Sequence, residues 1–74
     1  MPKWEYNFVN DPSNDYELVV EIFYDEEEVA VIKQEKHGLY YKWYANDRDI
    51  IIPFDWLLKV MNKANIGLRT GKEL

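Results

Sequence analysis

The chain begins with an alternation of apolar and polar positions that is typical of a β-strand with one buried face. Trp4, Tyr6 and Phe8 occupy every second position, with polar residues between them. This spacing predicts a first strand whose aromatic side chains face a core. The segment Asn10–Asp15 then ends the strand, because its Asn, Asp, Pro and Ser residues each favour turns.

A second strand is expected from Tyr16 to Tyr24, where β-branched and aromatic residues dominate. Its alternation separates an apolar face from a mixed one. The apolar face carries Leu18, Val20 and Ile22. The mixed face carries Glu17, Val19, Glu21 and Phe23.

Two further strands are predicted after a polar break at Asp25–Glu28. The first is Val29–Glu35, and the second is Leu39–Tyr44 after a short turn in which Gly38 supplies a positive φ. In the later strand, alternation directs Leu39, Tyr41 and Trp43 to the core and leaves Tyr40, Lys42 and Tyr44 outside.

Residues 45–49 form the next expected turn, and Ile50–Ile52 is expected to be a short buried strand or an extended lead-in. Four or five antiparallel strands would therefore follow one another along the chain, each paired with its neighbour. This arrangement is a β-meander.

A helix is predicted to follow, with Pro53 in its first turn and Asp55 near the positive end of its dipole. Trp56 and Val60 lie off the main apolar stripe, where they either widen the buried face or offer contact surface, and Gly67 is expected to end the helix. The expected buried stripe comprises Phe54, Leu57, Leu58, Met61 and Ala64. The fold class is thus α+β, an antiparallel meander packed against one C-terminal amphipathic helix. We expect a single domain over residues 1–69 and a frayed tail over residues 70–74.

Composition limits what can stabilise such a domain. The chain has 74 residues and no cysteine, so disulfides and cysteine-based zinc sites are excluded. Three Trp, six Tyr and three Phe residues can supply the burial that stability requires. No basic segment followed by an apolar one begins the chain, and no apolar run could span a bilayer. We therefore expect no signal peptide, no membrane association and a cytoplasmic location.

Charge is distributed unevenly along the sequence. Residues 1–35 contain ten acidic and two basic side chains, a net charge of −8, whereas residues 36–74 contain four acidic and seven basic side chains, a net charge of +3. An acidic first half makes nucleic-acid binding an unfavourable expectation, since phosphates repel carboxylates. It favours an electronegative surface that attracts a basic partner, or a surface that simply keeps an aromatic-rich domain soluble.

Catalytic groups are sparse. The two hydroxyl candidates, Ser13 and Thr70, lie in a turn cluster and in the tail, and the single histidine, His37, lies in a tight turn. None of them has a neighbouring base in the sequence pattern. The carboxylates of Asp25–Glu28 lack the spacing and the glycine of a calcium loop, and no glycine motif could bind a phosphate. We therefore predict no enzymatic activity, no metal site and no cofactor.

Two candidate binding surfaces remain. The first is acidic, with the apolar Val19 and Phe23 as anchors among carboxylates, unless another element covers this side. Its residues are Asp15, Glu17, Val19, Glu21, Phe23, Asp25, Glu26, Glu27 and Glu28. The second mixes aromatic and basic groups that could stack on single-stranded bases. Its residues are Tyr40, Lys42, Tyr44 and Arg48.

The whole-chain character resembles a family of small bacterial proteins. The aromatic-rich meander around Glu17–Tyr24, the acidic loop and the helix entry at Ile52–Leu57 are similar to the acidic immunity proteins of contact-dependent growth inhibition and related polymorphic toxin systems. The resemblance covers most of residues 4–68 and includes no diagnostic motif. It implies a partner that is a basic toxin domain, often a nuclease, whose active site the immunity protein occludes.

The sequence thus predicts a non-catalytic binding protein, and we expect an immunity function for it. One alternative is a regulatory protein that binds single-stranded nucleic acid through the aromatic and basic set. Another is a homo-oligomer in which Val19, Phe23 and Trp56 bury against a second copy.

Overall fold

The computed structural model describes residues 3–45 and 49–74, without the side chain of Asn14. Within these ranges a four-stranded antiparallel sheet is followed by one helix, which confirms the predicted α+β meander. The strands lie side by side in chain order. The elements are β1 (Trp4–Asp11), a 3₁₀ turn (Pro12–Asn14), β2 (Glu17–Tyr24), β3 (Glu27–Glu35), β4 (Gly38–Trp43) and α1 (Phe54–Thr70).

The connection from β1 to β2 is held by its own side chains. Asp11 accepts hydrogen bonds from the backbone N–H of Ser13 at 3.0 Å and from its hydroxyl at 2.8 Å. Asp15 and Tyr16 then adopt left-handed backbone conformations, with φ of 54° and 58°. The Tyr16 N–H donates to the Asp11 carbonyl at 2.8 Å, so the chain reverses and pairs Asp11 with Glu17.

The turn between β2 and β3 is shorter than the sequence indicated. Only Asp25 and Glu26 form it, and both have positive φ, 50° and 73°. This is the backbone of a two-residue hairpin that usually contains Asn-Gly. The Asp25 N–H also donates to the Lys3 carbonyl at 2.8 Å. The predicted four-residue break was therefore wrong at its second half, because Glu27 and Glu28 belong to β3.

A β-bulge changes the direction of side chains at the start of β3. The register shifts between Ile22 and Phe23, so that Ile22 pairs with Ala30 while Phe23 pairs with Glu28. Val29 is the extra residue, and both Val29 and Ala30 are fully buried. The consequence is that Glu28 lies on the same side of the sheet as Phe23.

The core lies between one face of the sheet and α1. Val20, Ile22 and Ile32 of the central strands pack with Val60, Ala64 and Leu68 of the helix, and all are at most 5% exposed. Partly buried aromatic side chains extend this core towards both edges. Of the residues predicted to face the core on β1 and β4, Trp4, Tyr6, Phe8, Leu39 and Trp43 pack against it. The prediction of a core position was wrong for Tyr41, which is 39% exposed on the edge strand β4.

The buried stripe of α1 differs from the predicted one by roughly a quarter of a turn. Trp56 lies 5.4 Å from Trp4, ring centre to ring centre, and Val60 is 1% exposed, although both were placed off the stripe. Phe54 and Leu58, which were predicted to be buried, are 73% and 45% exposed. The apolar residues of α1 occupy a wider arc than one sheet can cover. Contact with the large Trp4 ring places the side with Trp56 against the sheet.

The predicted end of the helix was also wrong. Gly67 lies inside α1 and is buried, because the Phe8 ring packs directly on it: a Cβ at Gly67 would lie 2.6 Å from Phe8 Cε2. The helix continues to Thr70 and ends at Gly71, whose φ of 71° is left-handed. Gly71 has the role that the sequence assigned to Gly67.

The link from β4 to α1 contains no strand in its described part. Residues 49–53 have no regular secondary structure, and Ile51 is 89% exposed. Of the two alternatives expected for Ile50–Ile52, the buried strand was therefore wrong, and the segment leads into α1 without pairing. Of the expected turn at 45–49, Ala45 is buried and accepts a hydrogen bond from Trp43 Nε1 at 3.2 Å. Residues 46–48 of that turn lie outside the described part.

Candidate binding surface on the open sheet face

One side of the sheet is covered by α1, and no other described element covers the opposite side. We call this opposite side the open face. Its membership follows from strand alternation and from the register of the three strand pairs. Its residues are Glu5, Asn7, Val9, Asp11, Glu17, Val19, Glu21, Phe23, Glu28, Val31, Lys33, Glu35, Tyr40 and Lys42, with Tyr44 directly after β4.

The mixed face that the sequence predicted for β2 lies at the centre of this surface. Glu17, Glu21 and Phe23 point away from α1, since Val20 and Ile22 between them belong to the core. Glu21 has Asn7 of β1 on one side and Val31 of β3 on the other. The acidic strand face is therefore not covered by the helix.

Valine side chains form an apolar floor in the open face. Val19 and Val31 are only 2% and 3% exposed, although no described helix lies above them. Val31 lies directly between Glu21 and Lys42, whose long side chains can cover it with their methylene groups. Val9 lies across from Val19 and is partly buried.

These positions change which of the predicted residues could contact a partner. Val19 is too deeply buried to contact a partner, and Trp56 packs inside the fold against Trp4 and Tyr6. The homo-oligomer anchors proposed from the sequence are therefore wrong for both residues. Phe23 is half-buried on the open face and remains available as an anchor.

Two carboxyl groups meet at the centre of the surface. Glu28 and Glu21 share a side-chain hydrogen bond across the β2–β3 pair. Burial, this hydrogen bond and the negative charges of Glu21 and Asp11 raise the pKa of the Glu28 carboxyl to about 7. The Glu28 carboxyl is therefore mostly protonated below about pH 7, and the open face gains one negative charge as Glu28 loses its proton near that pH.

Other charged groups border this pair. Hydrogen bonds from Ser13, together with the charge of Lys33, lower the pKa of the Asp11 carboxyl from its ordinary value. At the start of β1, Lys3 and Glu5 form an ion pair at 2.7 Å, and Glu5 raises the pKa of Lys3. Lys33 and Lys42 are the two described lysines within the open face, so carboxylates outnumber cations there.

The aromatic and basic set predicted on β4 belongs to the same surface. Tyr40 is 52% exposed and Tyr44 39% exposed, and the Lys42 ammonium lies 5.5 Å from the centre of the Tyr44 ring. Burial, followed by the charges of Glu28, Asp11 and Glu21, raises the pKa of the Tyr44 hydroxyl. The two surfaces that the sequence suggested separately are thus one. Arg48 lies outside the described residues.

The remaining predicted site residues lie at the two ends of the sheet. Asp15 is exposed beside the β1–β2 turn, and Asp25 and Glu26 form the opposite turn. Glu27 pairs with Tyr24 next to that turn. The acidic residues therefore border the open face at both ends instead of forming a single loop.

Sequence patterns missed several members of the surface, among them Val9, Asp11, Val31 and Lys33. For Val9 and Asp11 of β1, the alternation along the strand was enough to predict this face. It was obscured in β3, where a run of four apolar residues, Val29–Ile32, contains the bulge. Only the register could identify Val31 as the residue of that run on the open face.

The two hydroxyl groups and the histidine considered for catalysis lie in turns and at the end of α1. His37 is exposed in the β3–β4 turn, the Ser13 hydroxyl donates to Asp11, and the Thr70 hydroxyl donates to the Ile66 carbonyl at 2.8 Å. Within the described ranges, no three His, Asp or Glu side chains are grouped so that they could hold a metal ion.

Comparison with known proteins returned no relatives: no family model, no curated protein and no solved structure matches this chain. Among the described residues, no helix has the length and apolar character needed to cross a membrane.

Proposed function

We propose that this chain is a non-catalytic binding protein whose open face docks a basic protein partner. The observation that carries the proposal is the combination found on one uncovered surface: Phe23, Tyr40 and Tyr44 as partly exposed anchors, surrounded by carboxylates. Protein interfaces typically place aromatic anchors inside a polar rim, and complementary charge accelerates encounter.

The more specific form of the proposal is an immunity protein that acts in the cytoplasm on a basic toxin domain, such as a nuclease. An active site that binds phosphates presents cations, and the open face could cover such a site with carboxylates in place of phosphates. The mechanism is occlusion: the sheet blocks access of the substrate, and no chemical step is required.

Single-stranded nucleic acid is a weaker candidate ligand. Tyr40, Lys42 and Tyr44 could stack on bases, but Glu21 and Glu28 lie on the same face. A phosphate backbone that followed β4 would approach these carboxylates, which is unfavourable.

The experiment measures association of the chain with the protein domain encoded beside it in its genome, by surface plasmon resonance over a range of salt concentrations. We expect Glu17→Lys/Glu21→Lys to slow association at least about tenfold and to reduce its salt dependence. Phe23→Ala should chiefly accelerate dissociation.

Glu73→Lys is the control for position, because it makes one Glu→Lys reversal beyond the end of α1 and away from the open face. Its association rate should remain close to that of the original chain. The proposal is wrong if the double charge reversal leaves association unchanged, or if retention on single-stranded oligonucleotides at physiological salt depends on Tyr40 and Tyr44 instead.

A further inference from the structure

The two edge strands of the sheet differ in how much of the helix packs against them. At the β1 edge, Trp4 and Tyr6 pack against Trp56, and the Lys63 ammonium donates to the Tyr6 hydroxyl at 3.1 Å. At the β4 edge, Tyr40, Tyr41 and Lys42 are exposed, and no described strand pairs with the outer side of β4. β4 contains no proline and no bulge that would prevent another strand from pairing with it.

An apolar stripe of α1 flanks this free edge. Phe54, Leu58 and Met61 recur at i, i+4 and i+7, so they lie on one side of the helix. They are 73%, 45% and 38% exposed. Met61 joins the stripe to β4, since together with Leu39 and Tyr41 it lines a groove of about 200 Å³.

We propose that β4 and this stripe form the contact surface of a homodimer, in which β4 pairs antiparallel with β4 of a second copy about a two-fold axis at Tyr41. The two sheets would then continue as one sheet of eight strands, with both helices on the same side. This inference does not rest on the proposed function, and it leaves both open faces uncovered.

The charge distribution favours the β4 edge over the β1 edge for contact with a second copy. β1 lies within the half of the chain whose net charge is −8, whereas β4 and α1 lie within the half whose net charge is +3. Two copies that approached through β1 would bring their most acidic regions together. Approach through β4 keeps those regions apart.

Side-chain pairing favours an axis at Tyr41 over an axis at Lys42. In an antiparallel pair, directly opposite residues lie on the same face of the sheet. The two-fold axis must therefore pass between one residue of β4 and the same residue of the second copy. An axis at Lys42 would place two ammonium groups opposite each other. An axis at Tyr41 places Lys42 opposite the partner's Tyr40, an arrangement that permits a cation–π contact.

The available area fits a weak to moderate dimer. Tyr41 is 39% exposed, and with the exposed fractions of the stripe it offers on the order of 400 Å² of apolar surface per copy, taking about 200 Å² for a fully exposed large side chain. Adding the backbone edge of β4, two copies would bury about 1,000 Å², which is near the lower limit for a specific interface. Aromatic and Met side chains are enriched in such interfaces.

The first test is the molar mass of the isolated chain, measured by sedimentation equilibrium from about 10 to about 500 µM, a range suited to a small interface. We expect the mass to rise with concentration from 9.0 kDa towards twice that value. Leu58→Glu should keep the chain monomeric. Ile66→Glu is the matched control, because Ile66 is 56% exposed on α1 but lies off the stripe, and it should dimerise like the original chain.

The second test uses the absence of cysteine from the chain. A single Tyr41→Cys substitution places two thiols opposite each other across the proposed axis, so air oxidation should form a disulfide-linked dimer rapidly. Lys42→Cys should crosslink at least about tenfold more slowly, because its thiols would lie away from the axis. A monomeric mass at all concentrations, equal effects of Leu58→Glu and Ile66→Glu, or faster crosslinking at position 42 would overturn the proposal.

Discussion

The Glu28 carboxyl shares a hydrogen bond with the Glu21 carboxyl, although the two residues belong to different strands. The bulge at Val29 makes this contact possible, since it turns Glu28 towards the open face. Two carboxyls at hydrogen-bond distance stabilise each other only while one of them is protonated.

Folding therefore favours the protonated form of Glu28. Its pKa rises from 4.5 to about 7, so this group contributes its full stability below about pH 4.5 and loses it as the pH rises towards 7. Glu28→Gln should match the original chain at pH 4 and exceed its stability at pH 8 by about 1 kcal/mol, a value reduced for solvent screening of a partly exposed group. Urea denaturation at both pH values measures this.

Glu35→Gln is the control for that prediction, because Glu35 is an exposed carboxyl on the same strand. It should leave the pH dependence unchanged. If Glu28→Gln retained the same slope of stability between pH 4.5 and 7, the carboxyl pair would not be the source of that slope.

The side of α1 that packs on the sheet can be tested with two aromatic residues two positions apart. Trp56→Ala should cost about 3–5 kcal/mol, because it removes a ring that packs against Trp4 and Tyr6. Phe54→Ala should cost less than about 0.5 kcal/mol in dilute protein, because the Phe54 side chain is 73% exposed. Thermal unfolding followed by circular dichroism compares them, and similar losses for both would contradict this orientation of the helix.

The turn at Asp25 and Glu26 offers a way to stabilise the domain. Glu26 has a φ of 73°, a conformation that favours glycine, so Glu26→Gly should raise the free energy of unfolding by about 0.5–1 kcal/mol. Glu27→Gly makes the same change one residue later, inside β3, and should lower it by about the same amount. Urea denaturation of the two variants should move the midpoint in opposite directions, and a shift in the same direction would show that turn strain is not the cause.

Local patterns along the sequence predicted much of the fold. Alternation identified the core faces of β1, β2 and β4, because a strand with one buried face imposes a period of two. It failed at β3, where Val29 and Ala30 are both buried and a bulge absorbs the extra residue. The candidate site was predicted in part, since Glu17, Glu21 and Phe23 follow this alternation.

The helix shows why the remainder required the tertiary structure. Its sequence has apolar residues over an arc that includes both Phe54 and Trp56, and periodicity alone favoured the side with Phe54. Contacts with β1 decided otherwise, because Trp4 meets Trp56 and the Phe8 ring needs the space that Gly67 leaves. Position 67 is therefore a glycine because packing against Phe8 leaves no room for a side chain, and not because the helix ends there.

The sequence by itself determined the four strands of the sheet, the single helix and the acidity of the first half, because these depend on residue type and on spacing within one segment. The tertiary structure alone decided which helix stripe is buried, which β3 residues face outwards, and that the acidic and aromatic sets share one surface. These depend on register between segments and on the fit of individual side chains, which no single segment encodes.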